Sequence, residues 1–455
     1  MRNFQYSIVS DPEIFQENRM EAHSDHEFFS NEDAVLDGIS DFKYFLNGVW
    51  KFSYAKNYDS ALKNFYEMDY DCHSWDEIRV PAHIQMEGYG VPQYANTQYP
   101  WEGQDNPRPG EIPTYFNPVA SYVKYFTVPE SMTEGPVYIS FQGVESGMAL
   151  WLNGQYIGYS EDTFTPSEFD LTDYVINGEN KLAVMVFKWT AGSWCEDQDF
   201  FRFSGIFRDV YLYTTPKLHL RDVRIQGLLD EQYRDGTLVL DMCLQGKGKA
   251  EMELTYEGEE VLSGNVDLNE NTHVAIPVKG VKTWSEEKPN LYVLKLKLVD
   301  EDGQVLEYIQ EKVGFRRFEM IDNMMHLNGQ RIVFKGTNRH EFCSSTGRVL
   351  PDEDIWTDLV NMKRNNINAV RTSHYPNKTS FYRMCDELGI YVIDETNLET
   401  HGTWDAILCG FEGMDFMLPG NRKEFKELIL DRAKSMFERD KNHPCILIWS
   451  CGNES

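Results

Sequence analysis

Basic residues are scarce in this chain. Lys and Arg number 43 against 73 Asp and Glu, a formal net charge of −30 over 455 residues. A phosphate-binding face needs clustered cations, so nucleic acid and anionic membrane are not expected as partners. The acids are spread along the chain and form no tail, and they read as a soluble surface. Long apolar runs are missing too. No stretch approaches the ~18 residues of a membrane span. The opening MRNFQYSIVSDPEIF lacks the apolar core of a secretory signal, so a cytoplasmic protein is expected. No CxxC pair occurs among the eight cysteines. A chain this long needs no disulfide staples, and buried, reduced thiols are expected.

Apolar material is plentiful. Hydrophobic residues make up 41%, and the length allows about three domains. The first, 1–216, reads as β. VYISFQGV alternates Val137, Ile139 and Phe141, and MALWLNGQYIGYS is two strands around Asn153-Gly154, residues that tolerate the positive φ of a tight hairpin. KLAVMVFKW and FRDVYLYTT continue the series with no helical period between them, which predicts a jelly-roll sandwich with an N-terminal extension. From 217 to 319 short alternating strands such as TLVLDMCLQ and LYVLKLKLVD predict an immunoglobulin-like sandwich.

The texture changes over 320–455. HLNGQRIVFKG predicts a hairpin leading into a strand Ile332-Val333-Phe334. Ile355, Leu359 and Met362 recur at helical spacing, as do Phe381, Met384 and Leu388, then Phe425, Ile429 and Met436. Apolar strands NAVRTS, IYVIDETN and CILIWS alternate with these helices, which predicts a parallel sheet buried on both faces. A closed (β/α)₈ TIM barrel needs eight strands and ~250 residues. Four strands in this segment predict its N-terminal half.

In such barrels chemistry gathers at the C-terminal strand tips. Those tips carry Asn338, Arg339, His340 and Glu341; Arg371, His374 and Tyr375; Asp394, Glu395, Asn397, Glu399 and His401; and Asn453 and Glu454. A lone His or Glu at one tip is usually structural, but four polar tips in succession point to a site. ETH at 399–401 sets a carboxylate and an imidazole on one face of an extended stretch. Carboxylate oxygens suit Mg²⁺, imidazole less so, and this spacing alone is weak evidence for metal. Glu454 reads equally as an ion-pair partner or as a general acid beside Asn453.

Longer stretches carry a resemblance. LNGVWKFSY, PAHIQMEGYGVPQYANTQYP, EDQDFFRFSGIFRDVYL, WSEEKPNLY, VGFRRFE, KGTNRHE, NNINAVRTSHYPN, GIYVIDETNLETHG and RDKNHPCILIWSCGNES resemble glycoside hydrolase family 2, in its cytosolic, lactose-splitting β-galactosidase branch. The resemblance runs over nearly the whole chain and implies the same domain order. It implies hydrolysis of terminal β-galactosyl groups with retention, by two carboxyls ~5–5.5 Å apart. It makes Glu454 the general acid/base, places His340, His374 and Asn453 on the sugar, and gives Glu399, His401 and Glu454 as Mg²⁺ ligands. Asp199, the last acid of EDQD, is implied to bind galactose and Na⁺. Asn106 in GQDNPRPG is implied to touch substrate, although the loop around it departs from the family pattern. A divalent cation on a carboxyl favours the anion, so its expected role is to orient Glu454 and tune its later action as base.

No residue here maps onto the family's nucleophile, a second Glu at a later strand tip. Three expectations compete: a truncated stretch of a longer enzyme, inactive and prone to aggregate alone; one half of a split enzyme completed by a C-terminal chain; or a non-catalytic galactoside-binding protein. β-Glucuronidase and β-mannosidase share the fold, but ETHG and EDQD favour galactose. The full-length enzyme is expected to be a homo-oligomer.

Overall fold

The computed structural model describes residues 3–420 and 422–455. Its first sandwich packs a seven-stranded sheet on a four-stranded one. The larger sheet runs, in spatial order, Gln16–Glu17, Gln155–Ser160, Gly147–Leu152, Glu179–Phe187, Val119–Thr127, Gly48–Ala55 and Asp76–Val80. The smaller contains Ser167–Asp170, Tyr138–Phe141, Val210–Tyr213 and Lys43–Phe45. Asn153 and Gly154, at φ 51° and 83°, close the expected hairpin. Trp50, Tyr122, Ile139, Leu150 and Val184 fill the space between the sheets.

The second sandwich sets His219–Leu229, Gly236–Gln245 and Asn271–Val278 against a five-stranded sheet. One strand of that sheet, Phe28–Phe29, comes from the N-terminal arm and pairs with Tyr308 and Ile309. The arm also lends Gln16–Glu17 to the first sandwich. It therefore joins both sandwiches, a pairing that no local pattern in the chain foretells.

A four-stranded parallel sheet follows: β1 (Gly336–Arg339), β2 (Ala369–Thr372), β3 (Tyr391–Glu395) and β4 (Ile446–Ser450). The intervening helices are α1 (Asp352–Arg364), α2 (Thr379–Leu388), α3 (His401–Leu408) and α4 (Lys426–Asp440). This is part of a TIM barrel, with right-handed β-α-β crossovers expected for parallel neighbours. No helix among the described residues is long and apolar enough to cross a membrane.

Several local expectations are corrected. Ile332-Val333-Phe334 is not a strand; pairing with β2 begins at Gly336, where a Cβ would lie 2.9 Å from the Ala369 carbonyl oxygen. Ile332 and Phe334 instead pack against the barrel core. The first strand is thus GTNR, partly exposed, and not an apolar run. On α2 the fully buried residues are Phe381, Tyr382, Cys385 and Asp386, with Met384 and Leu388 only partly covered. Phe425 precedes α4, and Leu428 rather than Ile429 is buried. That helix also buries Arg432, Ser435 and Arg439, because it faces carboxylates and carbonyls of the first sandwich. The eight cysteines are all free thiols, but Cys409 and Cys451 are exposed and Cys243 and Cys343 half-buried.

Candidate active site

The chain leaves β4 and turns at Gly452, whose φ is 131°. A Cβ there would meet the Leu398 carbonyl oxygen at 2.5 Å, so the turn excludes any other residue. The Asn453 N–H then donates to that same carbonyl at 2.9 Å. Glu454 follows at φ 37°, the left-handed region that L residues rarely adopt. This turn points the Glu454 carboxylate at His401, with Oε2 2.6 Å from Nδ1.

His401 opens α3, so Glu399 and His401 do not lie along an extended stretch as the spacing suggested. Glu399 stands in the preceding loop, bridged as if in a short parallel ladder to Glu196 of the first sandwich. Its carboxylate still comes within 4.0 Å of His401 Nδ1. One ligand atom from each of Glu399, His401 and Glu454 fits within a 4.8 Å cluster.

The chemistry of this cluster suits a divalent cation. Glu399 is wholly buried, and neither of its oxygens has a hydrogen-bond partner in good geometry. Burial, then the charges of Asp197 and Glu454, push its carboxyl up to about 8, against a lowering by the nearby Asn453 amide. Bare buried acceptors in this number are expensive, and a cation would offset both the burial and the mutual repulsion. Two carboxylates and an imidazole in this cluster can hold a divalent cation.

A second group lies beside it. Buried Glu395 on β3 accepts from Arg371 Nε and Nη2 at 2.7 and 3.0 Å, from Ser450 Oγ at 2.7 Å, and pairs with His374 Nδ1 at 2.6 Å. The partners, with burial opposing them, hold its carboxyl below the usual range. Arg371 also donates to Asn453 Oδ1 at 2.9 Å. Glu395 therefore orients His374 directly and Asn453 through Arg371. His340 faces His374 edge-on with ring centroids 5.6 Å apart. Desolvation, His374 and Arg348 hold the His340 imidazole down at about 4, so its ring is neutral near pH 7.

The first sandwich reaches the rim through residues 196–199. Asp197 accepts from the Gly402 N–H at 2.7 Å, and its own N–H donates to the Glu399 carbonyl at 3.1 Å. A Cβ on Gly402 would lie 2.9 Å from Asp197 Oδ2 and 2.8 Å from the Thr97 carbonyl, which explains the glycine in ETHG. Glu196 pairs with Arg432 at 2.6 Å and accepts from Asn397 at 2.9 Å, while Gln198 donates to Asn397 at 3.0 Å. Asp199 emerges half-buried from this anchor, accepts from the Tyr94 hydroxyl, and lies close enough to His340 to act on its charge.

The structure thus brings Glu399, His401, Glu454, Asn453, His374, His340 and Asp199 into one neighbourhood. It does not bring Asn106 there: that residue is exposed and makes no side-chain hydrogen bond among the described residues. Four other tip residues turn into packing. Arg339 binds Asp358 and Asn377, Glu341 pairs with Arg208 at 2.7 Å, and Asp394 accepts from Tyr382. Tyr375 stacks on Phe164 at 4.1 Å. Asp197 and Trp404 escaped the sequence reading. Asp197 is hidden inside EDQD beside the more visible Asp199, whereas Trp404 stands three residues after His401, one helical turn on. A separate cavity of about 170 Å³, lined by His23, Glu168 and Arg383 among others, holds none of the site residues. Its charged groups are already paired, His23 with Glu168 at 3.0 Å and Arg383 with Asp25 at 3.3 Å.

Comparison with known proteins follows the same division of the chain. Residues 44–216 match the sugar binding domain of glycosyl hydrolases family 2, 218–316 that family's middle region, and 318–455 its TIM barrel domain. The β-galactosidase large subunit of Latilactobacillus sakei is 42% identical over 98% of this chain and 73% of its own length. The chain belongs to glycosyl hydrolase family 2. A β-galactosidase of Halalkalibacterium halodurans, another relative, is 52% identical over 99% of this chain but only 45% of its own length. The chain thus spans less than half of that relative and about three quarters of the large subunit. Among solved structures, a Bifidobacterium dentium β-glucuronidase superposes with a TM-score of 0.74 at 22% identity, over 91% of this family 2 chain and 68% of that one. That likeness bears on the fold alone.

Proposed function

We propose that this chain forms the sugar-recognising and acid/base part of a retaining β-galactosidase, acting on terminal β-galactosyl groups such as that of lactose. The observation that carries the reading is the convergence of Glu454, His401 and Glu399 with the His374–Glu395 pair on one barrel rim. Glu454 protonates the glycosidic oxygen as the bond breaks, and its carboxylate then takes a proton from the water that attacks the glycosyl intermediate. His374, fixed by Glu395, and neutral His340 hydrogen-bond sugar hydroxyls more strongly as the ring flattens. Asn453, held by Arg371, faces the 2-hydroxyl. Asp199 takes a galactose hydroxyl and would contribute a ligand to a Na⁺ site; Asn106, exposed on its loop, would meet the sugar only by direct contact. Glu399, His401 and Glu454 would hold Mg²⁺, which supplies a fixed positive charge that orients the acid/base carboxyl. The nucleophile is a second Glu on a later barrel strand, contributed by a longer chain or by a complementing partner, in a cytoplasmic homo-oligomer.

The test is reconstitution. The chain is mixed with one carrying the remaining barrel strands and assayed on lactose and on aryl β-galactosides. The mixture should turn over, each chain alone should not, and Glu454→Gln should lower turnover about 10²–10⁴-fold. Full activity of this chain by itself, or hydrolysis of β-glucuronides in place of β-galactosides, would overturn the proposal.

A further inference from the structure

We propose that Trp404 is a positioning residue that sets both His401 and Glu454. The proposal rests on the reading of Glu454 as acid/base and His401 as metal ligand. Trp404 lies three residues after His401 on α3, so the two side chains rise from the same helical face. Their rings stack almost parallel, 8° apart with centroids at 4.4 Å. The indole Nε1–H donates to the backbone carbonyl of Glu454 at 3.0 Å. One side chain therefore touches two members of the triad, one by its ring and one by its N–H.

That carbonyl belongs to a residue at φ 37°, a conformation that does not hold itself. Asn453 N–H pins the turn from one side, through Leu398. The Trp404 N–H pins it from the other. Release of either contact lets Glu454 relax toward an ordinary φ and swing its carboxyl off the line to His401. The stacked face limits the His401 ring in the same way, as partners behind a ligand commonly do. Helix α3 is itself fixed: its second residue donates to Asp197, and Thr403 Oγ1 accepts from the Leu418 N–H at 3.2 Å. Trp404 is thus a rigid arm between the first sandwich's anchor and the acid/base turn.

The test separates positioning from simple packing. A misplaced acid harms a poor leaving group far more than one that departs unaided. In the reconstituted enzyme, kcat/KM is compared for methyl β-galactoside and 2,4-dinitrophenyl β-galactoside. Trp404→Ala should lose about 10²-fold on the methyl glycoside and less than about threefold on the dinitrophenyl one. Trp404→Phe, which keeps the ring and loses the N–H, should lose about tenfold on the methyl glycoside. By calorimetry on this chain, Mg²⁺ affinity should fall about tenfold in Trp404→Ala and stay near wild type in Trp404→Phe. Equal losses on both substrates, or a rise in KM with kcat unchanged, would overturn the positioning role. Glu454→Gln is the control. If it shows the leaving-group dependence and the Trp404 variants do not, Trp404 alone is misread. If Glu454→Gln shows none, the acid/base reading falls and the role of Trp404 with it.

Discussion

Replacing the buried Glu399 carboxyl by an amide should make the metal-free protein more stable. Glu399 is buried, its oxygens find no hydrogen bond of good geometry among the described residues, and it sits near the carboxylates of Asp197 and Glu454. Its carboxyl is raised from an ordinary 4.5 to about 8. A raised carboxyl binds its proton more tightly folded than unfolded, so stability is lost as pH climbs from 4.5 toward 8. At pH 7.5 the full shift corresponds to about 4 kcal/mol. The neighbouring Glu454 is solvent-exposed, and screening from that side reduces this to about 2 kcal/mol. Glu399→Gln keeps the shape, removes the repulsion and offers an amide donor to Glu454. In EDTA, its guanidinium midpoint should rise by the equivalent of about 2 kcal/mol, and the rise should vanish below pH 4.5. Saturating Mg²⁺, at ~100 times Kd, should stabilise the wild type by about 2.7 kcal/mol and leave the variant unmoved. A variant less stable than wild type in EDTA at pH 7.5 would show instead that favourable contacts such as the Asn453 amide outweigh burial and repulsion at Glu399.

Three further outcomes follow from the same geometry. Arg432→Met leaves Glu196 buried against Asn397 with no counter-charge, and chemical denaturation should register a loss of about 3–5 kcal/mol. Gly402→Ala drives a methyl into Asp197 and Thr97; it should cost about 1–3 kcal/mol and weaken Mg²⁺ binding measured by calorimetry, because it parts the first sandwich from α3. Burial, with His23 and His219 nearby, holds the His26 imidazole at about 3, its ring bonded to Ser24 and Leu220. The unfolded chain therefore takes up a proton that the folded one refuses, and stability falls as pH drops from 6.5 toward 3, by up to ~1.4 kcal/mol per unit. His26→Gln should remove one proton from that slope between pH 6 and 4, as read from denaturation midpoints.

Three of the four barrel helices and the hairpins are legible because each is encoded by a short pattern: Ile355 and Leu359 at helical spacing, Asn153-Gly154 at a turn. Glu454, Glu399 and His401 stand out in the sequence because strand tips collect polar residues, but their spacing leaves their roles open, and only the family resemblance implies them. The rest depended on contacts between distant segments. Phe28–Phe29 joins a sheet nearly 300 residues away, which no window contains. Ile332–Phe334 is apolar enough for a strand, yet hydrogen-bond pairing starts four residues later, where Gly336 alone fits beside Ala369. Arg432 and Arg439 face inward on α4 because the carboxylates and carbonyls that receive them belong to other elements. His401 begins a helix that the reading missed, since HGTWDAIL is too short to show a period, and with it the stack on Trp404 went unseen.

Azide distinguishes directly between Glu454 as acid/base and Glu454 as nucleophile. In the reconstituted enzyme, Glu454→Ala with 2,4-dinitrophenyl β-galactoside still forms the glycosyl intermediate, because that leaving group needs no proton. Azide can then attack it without help from a general base. Added azide should speed turnover and give β-galactosyl azide, with retained configuration by proton NMR. An α-galactosyl azide, formed with inversion, would show instead that Glu454 had been the nucleophile.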